Sequence, residues 1–224
     1  RSERGDAEGH EGRDATASHA AAVADLEQAL QRAPDSTTMR AARAQALASL
    51  ARARAERGGD PRPDLRLALA DLDLALERER GEPVLHHNRG ITRAELAAAE
   101  AGREGDARTW WRAAAEDFDV ALRTLPGLTA HSRRAEALWE WGMAEADAGG
   151  DPREPLGRAL ADIEVVLAGS PGDPDWTERR AMAAWRLGTA LHARGQDGRA
   201  WWEKARTDLD ALAVLAPGVG ELHE

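Results

Sequence analysis

The chain reads as an all-α solenoid of antiparallel helix pairs, about four and a half repeats long, and three observations carry that reading. One aspartate recurs at Asp25, Asp71, Asp117, Asp162 and Asp208, in steps of 46, 46, 45 and 46 residues. Each copy sits in the same phrase: ADLEQAL, ADLDLAL, EDFDVAL, ADIEVVL and TDLDALA. A fixed period of about 20–50 residues marks a stacked repeat array. An arginine followed by a small residue keeps step with it, as Arg43-Ala44, Arg89-Gly90, Arg134-Ala135 and Arg180-Ala181. The composition is helical as well: alanine and leucine dominate, β-branched residues are few, and glycine and proline gather between the periodic segments.

Turn signals divide each repeat into a helix A and a helix B. Gly59-Asp60, Gly105-Asp106, Gly150-Asp151 and the spaced pair Gly195 and Asp197 fall between the two landmarks. Aspartate there can cap the next helix by accepting orphan backbone N–H groups. Pro61 and Pro152 follow at what reads as the first helical position, where proline is tolerated. Pro34, Pro126, Pro171 and Pro217 end helix B and set the angle into the next unit. The expected helices are a helix B over 15–33, then A/B pairs over 36–57 and 61–80, 83–103 and 106–125, 128–148 and 153–169, and 174–194 and 197–215. Residues 1–14 lack an apolar face, carry Gly5, Gly9 and Gly12, and read as a flexible lead-in. Residues 15–217 form the repeat domain, and 218–224 are a tail or the start of a further helix A.

Helix B also repeats an alanine, a large apolar residue four on, and a proline eight further. This occurs as Ala22/Leu26/Pro34, Ala114/Phe118/Pro126, Ala159/Ile163/Pro171 and Ala205/Leu209/Pro217; Ala68/Leu72 has Arg80 in the proline place. Together with the glycines of Asn88-Arg89-Gly90 and Arg186-Leu187-Gly188, this pattern resembles the tetratricopeptide repeat over roughly residues 15–217. The resemblance implies a right-handed superhelix with a concave groove lined by helix A. The departure is the period, about 46 against that family's about 34. The extra residues lie between the small residue of helix A and the alanine of helix B, so lengthened helices are expected, not an inserted domain. HEAT-type repeats, at about 40–47 residues, fit the period without the helix B phrase.

Charge and composition exclude several classes. A net charge of -10 and a pI near 5.3 oppose a nucleic-acid partner or an anionic membrane surface. With no cysteine there is no disulfide framework or thiolate chemistry. No apolar run approaches the ~18 residues of a membrane span, and no signal peptide is visible. A cytoplasmic location is the expectation. No phosphate loop, nucleophile elbow or metal-ligand spacing appears, so no catalytic residue, metal or cofactor is expected. His86 and His131 read as solvated surface histidines, and the Asp and Arg ladders as structural contacts between helices.

The expected activity is non-catalytic protein binding. Tryptophan is common, with eight copies and no tyrosine. Trp141 aligns with Leu50, Leu96 and Leu187, and Trp111 and Trp202 with Leu65 and Leu156, so these three read as packing residues. Trp139 and Trp185 align with Ala48 and Ala94, which makes them candidate anchors. The groove positions implied by the resemblance add His87, Asn88, Glu95, Arg133, Glu136, Glu140, Arg179 and Arg186. Such a groove suits a peptide or partner helix with an apolar anchor and an acidic group. Trp110 and Trp201 align with Asp64 and Pro155 and read as secondary exposed aromatics. Two other roles suit the same features: a sensor or assembly module beside a kinase, ATPase or protease domain, and self-association through repeat ends.

Overall fold

The computed structural model describes residues 2–101 and 107–215. Among these residues all regular structure is helical: α1 Ser2–Arg32, α2 Thr37–Ala55, α3 Arg62–Arg78, α4 Pro83–Glu100, α5 Ala107–Leu122, α6 Leu128–Asp147, α7 Arg153–Gly169, α8 Pro174–His192 and α9 Arg199–Leu215. The extra length of the repeat is spent within the helices, since those after α1 run 16 to 20 residues. Helix α1 starts at Ser2, so the segment read as a lead-in is helical in backbone. Glycine costs a helix only about 1 kcal/mol each against alanine, which three copies in a longer helix can absorb. The expected turn at Gly105-Asp106 and the tail over 218–224 lie outside the described residues.

The chain divides into two compact units, 1–124 and 125–224. The boundary falls in a connector between repeats, where an array whose repeats touch only their neighbours is easiest to part. In the first unit α1 to α5 pack in chain order; in the second α6 to α9 do the same, and in each the successive A helices also touch (α2 with α4, α6 with α8). Pairing is antiparallel: Thr37 at the start of α2 bonds Glu79 just past the end of α3, and Arg54 near the end of α2 meets Asp64 near the start of α3.

Helix A ends on a left-handed glycine, at Gly58, Gly149 and Gly195. The following N–H bonds back five residues, Gly59 to Arg54 O, Gly150 to Glu145 O and Gln196 to Leu191 O, the Schellman arrangement. Two of these glycines stand one residue before the expected Gly-Asp pair. The aspartate then does what its position predicts. Asp60, Asp151 and Asp197 each accept the backbone N–H of the residue two on (Arg62, Arg153, Arg199) and also its guanidinium. Pro61 and Pro152 occupy the cap position itself, not the first helical one.

The Arg153 guanidinium holds the Asp151 carboxyl down at about 2. A depressed carboxyl stabilises the fold above its ordinary value of 3.8, and that contribution is lost as pH falls toward about 2. Asp151→Asn is expected to keep the backbone cap and flatten this part of the acid limb. Urea midpoints at neutral pH and near pH 3 would then differ less in the variant than in the wild type; an unchanged difference would refute the assignment.

Cores are apolar and sized repeat by repeat. Ala44, Leu47, Ala68, Leu72, Ala75, Leu76 and Leu85 form one cluster, and Ala48, Ala51, Leu65, Leu69 and Leu96 the next. In the second unit Leu156, Leu160, Ala183 and Leu187 cluster, beside Ala135, Ile163 and Leu167. Gly90 faces Phe118, whose ring would lie 2.8 Å from an added Cβ. At the same register Ala44 shares a cluster with Leu72, and Ala135 with Ile163. The small residue shrinks where its partner grows.

Candidate functional site

The two ladders meet. In all four repeats the arginine grips the aspartate 28 residues later through Nε and Nη2, with distances of 2.6–2.9 Å for Arg43–Asp71, Arg89–Asp117, Arg134–Asp162 and Arg180–Asp208. The four carboxylates are 1–4% exposed. Hydrogen bonds to Asp71 and Asp208 hold the Arg43 and Arg180 guanidinium groups above the usual arginine range. The fork geometry of guanidinium on carboxylate fixes the register of helix A on helix B.

The residue three before the arginine joins the node. Arg40 reaches Asp71 at 3.3 Å, His86 Nδ1 lies 2.8 Å from Asp117, and His131 Nδ1 lies 2.7 Å from Asp162. The expectation of solvated histidines is therefore corrected. His86 is buried, with Nε2 also 2.9 Å from the Arg80 carbonyl, and His131 is half-buried. They stand at the register of Arg40 and Thr177, where the residue type changes from repeat to repeat. Among the described residues no three His, Asp or Glu side chains converge as metal ligands.

The predicted groove residues fall into both units. In the first, Glu95 lies 3.6 Å from Arg52, the His87 ring stands edge-on to Phe118 at 5.7 Å, and Asn88 is half-buried, its carbonyl accepting from Thr92. In the second, α6 and α8 bring several together. Trp139 donates its indole N–H to the Arg179 carbonyl at 3.1 Å, and the Arg179 guanidinium lies over the ring at 4.7 Å. Arg179 comes within 4.0 Å of Glu136 and Glu140, and Glu136 is 3.5 Å from Arg133. Burial pushes the Glu140 carboxyl above its ordinary value despite Arg179. Arg186 pairs with Asp147 at 2.8 Å. Trp139 is thus half-buried and roofed by the next A helix, packing on Leu156 and Ile163 clusters.

Trp185 holds the same position one repeat later and is 56% exposed. Its ring stands 6.3 Å from that of Trp202, which in turn lies 5.4 Å from His192. Trp185, Arg199, Trp202, Glu203, Arg206 and Leu209 line a cleft of about 410 Å³. Trp202 and Arg206 were missed as site residues. Arg206 carried the signal, because its counterparts are Leu69, Ala115 and Leu160, all buried.

The reading of Trp110 and Trp201 as exposed is corrected. Both are half-buried: Trp110 packs on the Leu65 and Leu96 cluster, and Trp201 on that of Leu156 and Leu187. Their counterparts are interior too. Pro155 is buried, and Asp64 is buried against Arg54 at 2.6 Å, with burial pushing its carboxyl up. Trp111 is buried as expected, whereas Trp141 is half-buried and bonds Glu145 through its indole N–H.

No family model and no curated protein matches this chain. Among solved structures it is similar to the crystal structure of BtubC (BKLC) from P. vanneervenii, at 16% identity and a TM-score of 0.40, over 95% of this chain and 94% of that one. A likeness of that degree assigns neither family nor activity.

Proposed function

We propose that this chain is a non-catalytic protein-interaction module, tetratricopeptide-like with lengthened repeats, that holds a peptide or partner helix in the α8/α9 cleft around Trp185. The observation carrying the reading is the contrast between two equivalent tryptophans. Trp139 gives its indole N–H to a backbone carbonyl and its face to a guanidinium. Trp185 has neither among the described residues and presents its ring beside Trp202. An exposed aromatic pair within a concave, arginine-edged cleft suits an apolar anchor followed by a carboxylate, which Arg199 and Arg206 would receive. No helix among the described residues is long and apolar enough to cross a membrane. A cytoplasmic site of action belongs to the same proposal.

A displayed peptide library panned on the chain tests it. Selected peptides are expected to combine an aromatic or aliphatic anchor with an acidic residue. Trp185→Ala should weaken them at least tenfold, as a central aromatic hot spot does. Ligands that bind Trp185→Ala with undiminished affinity would place the site elsewhere.

A further inference from the structure

We propose that His86 is a proton-dependent clasp, which fastens the connector between α3 and α4 onto the buried Asp117 node. Its two ring nitrogens face two acceptors. Nδ1 lies 2.8 Å from an Asp117 oxygen, and Nε2 lies 2.9 Å from the Arg80 carbonyl. Neither oxygen is a donor: one is a backbone carbonyl, and Asp117 accepts from Arg89 and Arg93 as well, as a carboxylate does. Each of the two bonds thus needs a proton on its nitrogen. A neutral imidazole carries one proton, and its bare nitrogen would set a lone pair against an oxygen lone pair. Only the imidazolium closes both.

The preceding repeat makes the same clasp with a permanent charge. Arg40 stands at the register of His86. It donates from Nη1 to Asp71, 31 residues on, at 3.3 Å, and from Nη2 to the Pro34 carbonyl, 6 residues back, at 2.7 Å. His86 spans the same two intervals, 31 residues on to Asp117 and 6 back to Arg80. Arginine stays charged throughout the range in which histidine gains and loses its proton. The later repeats lose the clasp stepwise. His131 reaches Asp162 through Nδ1 and has no second acceptor among the described residues, so one proton suffices there. Thr177 turns its hydroxyl to the Asp173 carbonyl.

The charged groups around the ring come from each element packed on it. Helix α5 supplies Asp117; α4 itself supplies Arg89 and Arg93, both bonded to that aspartate; α3 supplies Asp73, which Arg89 reaches at 2.7 Å. The connector adds Glu79, bonded to Thr37, and Glu82, which accepts the Val84 N–H. Helix α2 meets α4 through Arg52 and Glu95, toward the far end of both, and His87 faces Phe118. Asp117 and Asp73 thus face two guanidinium groups, and the proton on His86 is the charge that comes and goes. Rising pH removes one ring proton. Nδ1 keeps the other, because its partner is a carboxylate and the charge-assisted bond is the stronger. The Arg80 carbonyl is then released, so the clasp is closed in acid and opens as pH rises, the opposite sense to Asp151.

Two measurements on the whole chain test it. Nitrogen-15 NMR of the imidazole is expected to show protons on both ring nitrogens of His86 at about pH 5.5, below the ordinary histidine value of about 6.5. At the alkaline end of its titration only Nδ1 should bear one. Hydrogen exchange of the 79–86 segment reads the clasp itself, with His86→Arg compared at each pH so that the intrinsic pH dependence of exchange cancels. His86→Arg copies Arg40. It should match the wild type at about pH 5.5 and protect the segment about fivefold better at about pH 8.5, the worth of one ordinary hydrogen bond. A single protonated nitrogen at about pH 5.5, an Nε2–H tautomer in base, or a ratio of the two proteins that does not move with pH would each overturn the proposal. The NMR measurement needs no substitution, so it decides the matter even if His86→Arg does not fold.

Discussion

Asp117→Ala is expected to cost the first unit about 3–5 kcal/mol, as removal of one partner from a buried ion pair does. Asp117 is 2% exposed and accepts from Arg89 at 2.9 and 2.7 Å, from Arg93 at 2.7 Å, and faces His86 at 2.8 Å. Its loss leaves two guanidinium groups and an imidazole in a site too dry to hydrate them. Arg93 is the added burden here, since it stands where the other repeats carry Leu47, Leu138 and Ala184. The same substitution at Asp25 should cost under about 0.5 kcal/mol, as surface changes usually do. Urea unfolding of the two variants decides it, and equal losses would mean that the ladder does not stabilise through its buried pairs.

Phe118→Ala is the second large loss, about 3–5 kcal/mol from transfer and cavity together. Its partner gives a sharper test than the deletion alone. Gly90→Ala by itself forces a Cβ to 2.8 Å from the Phe118 ring. Overpacking of that kind costs about 1–3 kcal/mol, against about 1 kcal/mol gained in helix propensity. Gly90→Ala combined with Phe118→Leu copies the Ala44 and Leu72 pairing of the preceding repeat. The double variant should therefore be at least as stable as Gly90→Ala alone, with a favourable coupling energy in the cycle. Additive losses would show that the two positions do not share one packing constraint.

The helices, their pairing and the ladder contact were legible because each rests on a signal that recurs in phase. Asp71 and Arg43 are identical in type in every later copy, so their meeting could be read from register alone. Positions that change type between repeats hid their role. The place held by Asp64, Trp110, Pro155 and Trp201 looks permissive in sequence, yet Asp64 is interior only because Arg54 neutralises it. His86 and His131 were opaque for a related reason: arginine, histidine and threonine at one register do not announce a common partner. The difference between Trp139 and Trp185 was equally hidden, because Trp139 owes its partners to α8 lying across its ring and not to the residue itself.

Two of the ladder arginines, Arg89 and Arg180, have a second hand. While Nε and Nη2 of Arg89 hold buried Asp117, its Nη1 reaches Asp73 of the preceding helix at 2.7 Å, and Nη1 of Arg180 reaches Glu164 in the same way at 3.2 Å. Those outer carboxylates are about half exposed, so dissolved ions can weaken their hold, whereas the inner fork is shielded from them. Within each unit the same arginine thus makes one salt-shielded contact inside its hairpin and one salt-sensitive contact to the hairpin before. Added salt is therefore expected to loosen these outer pairs between successive hairpins while it leaves the fork inside each hairpin, and the apolar clusters that join hairpins, in place.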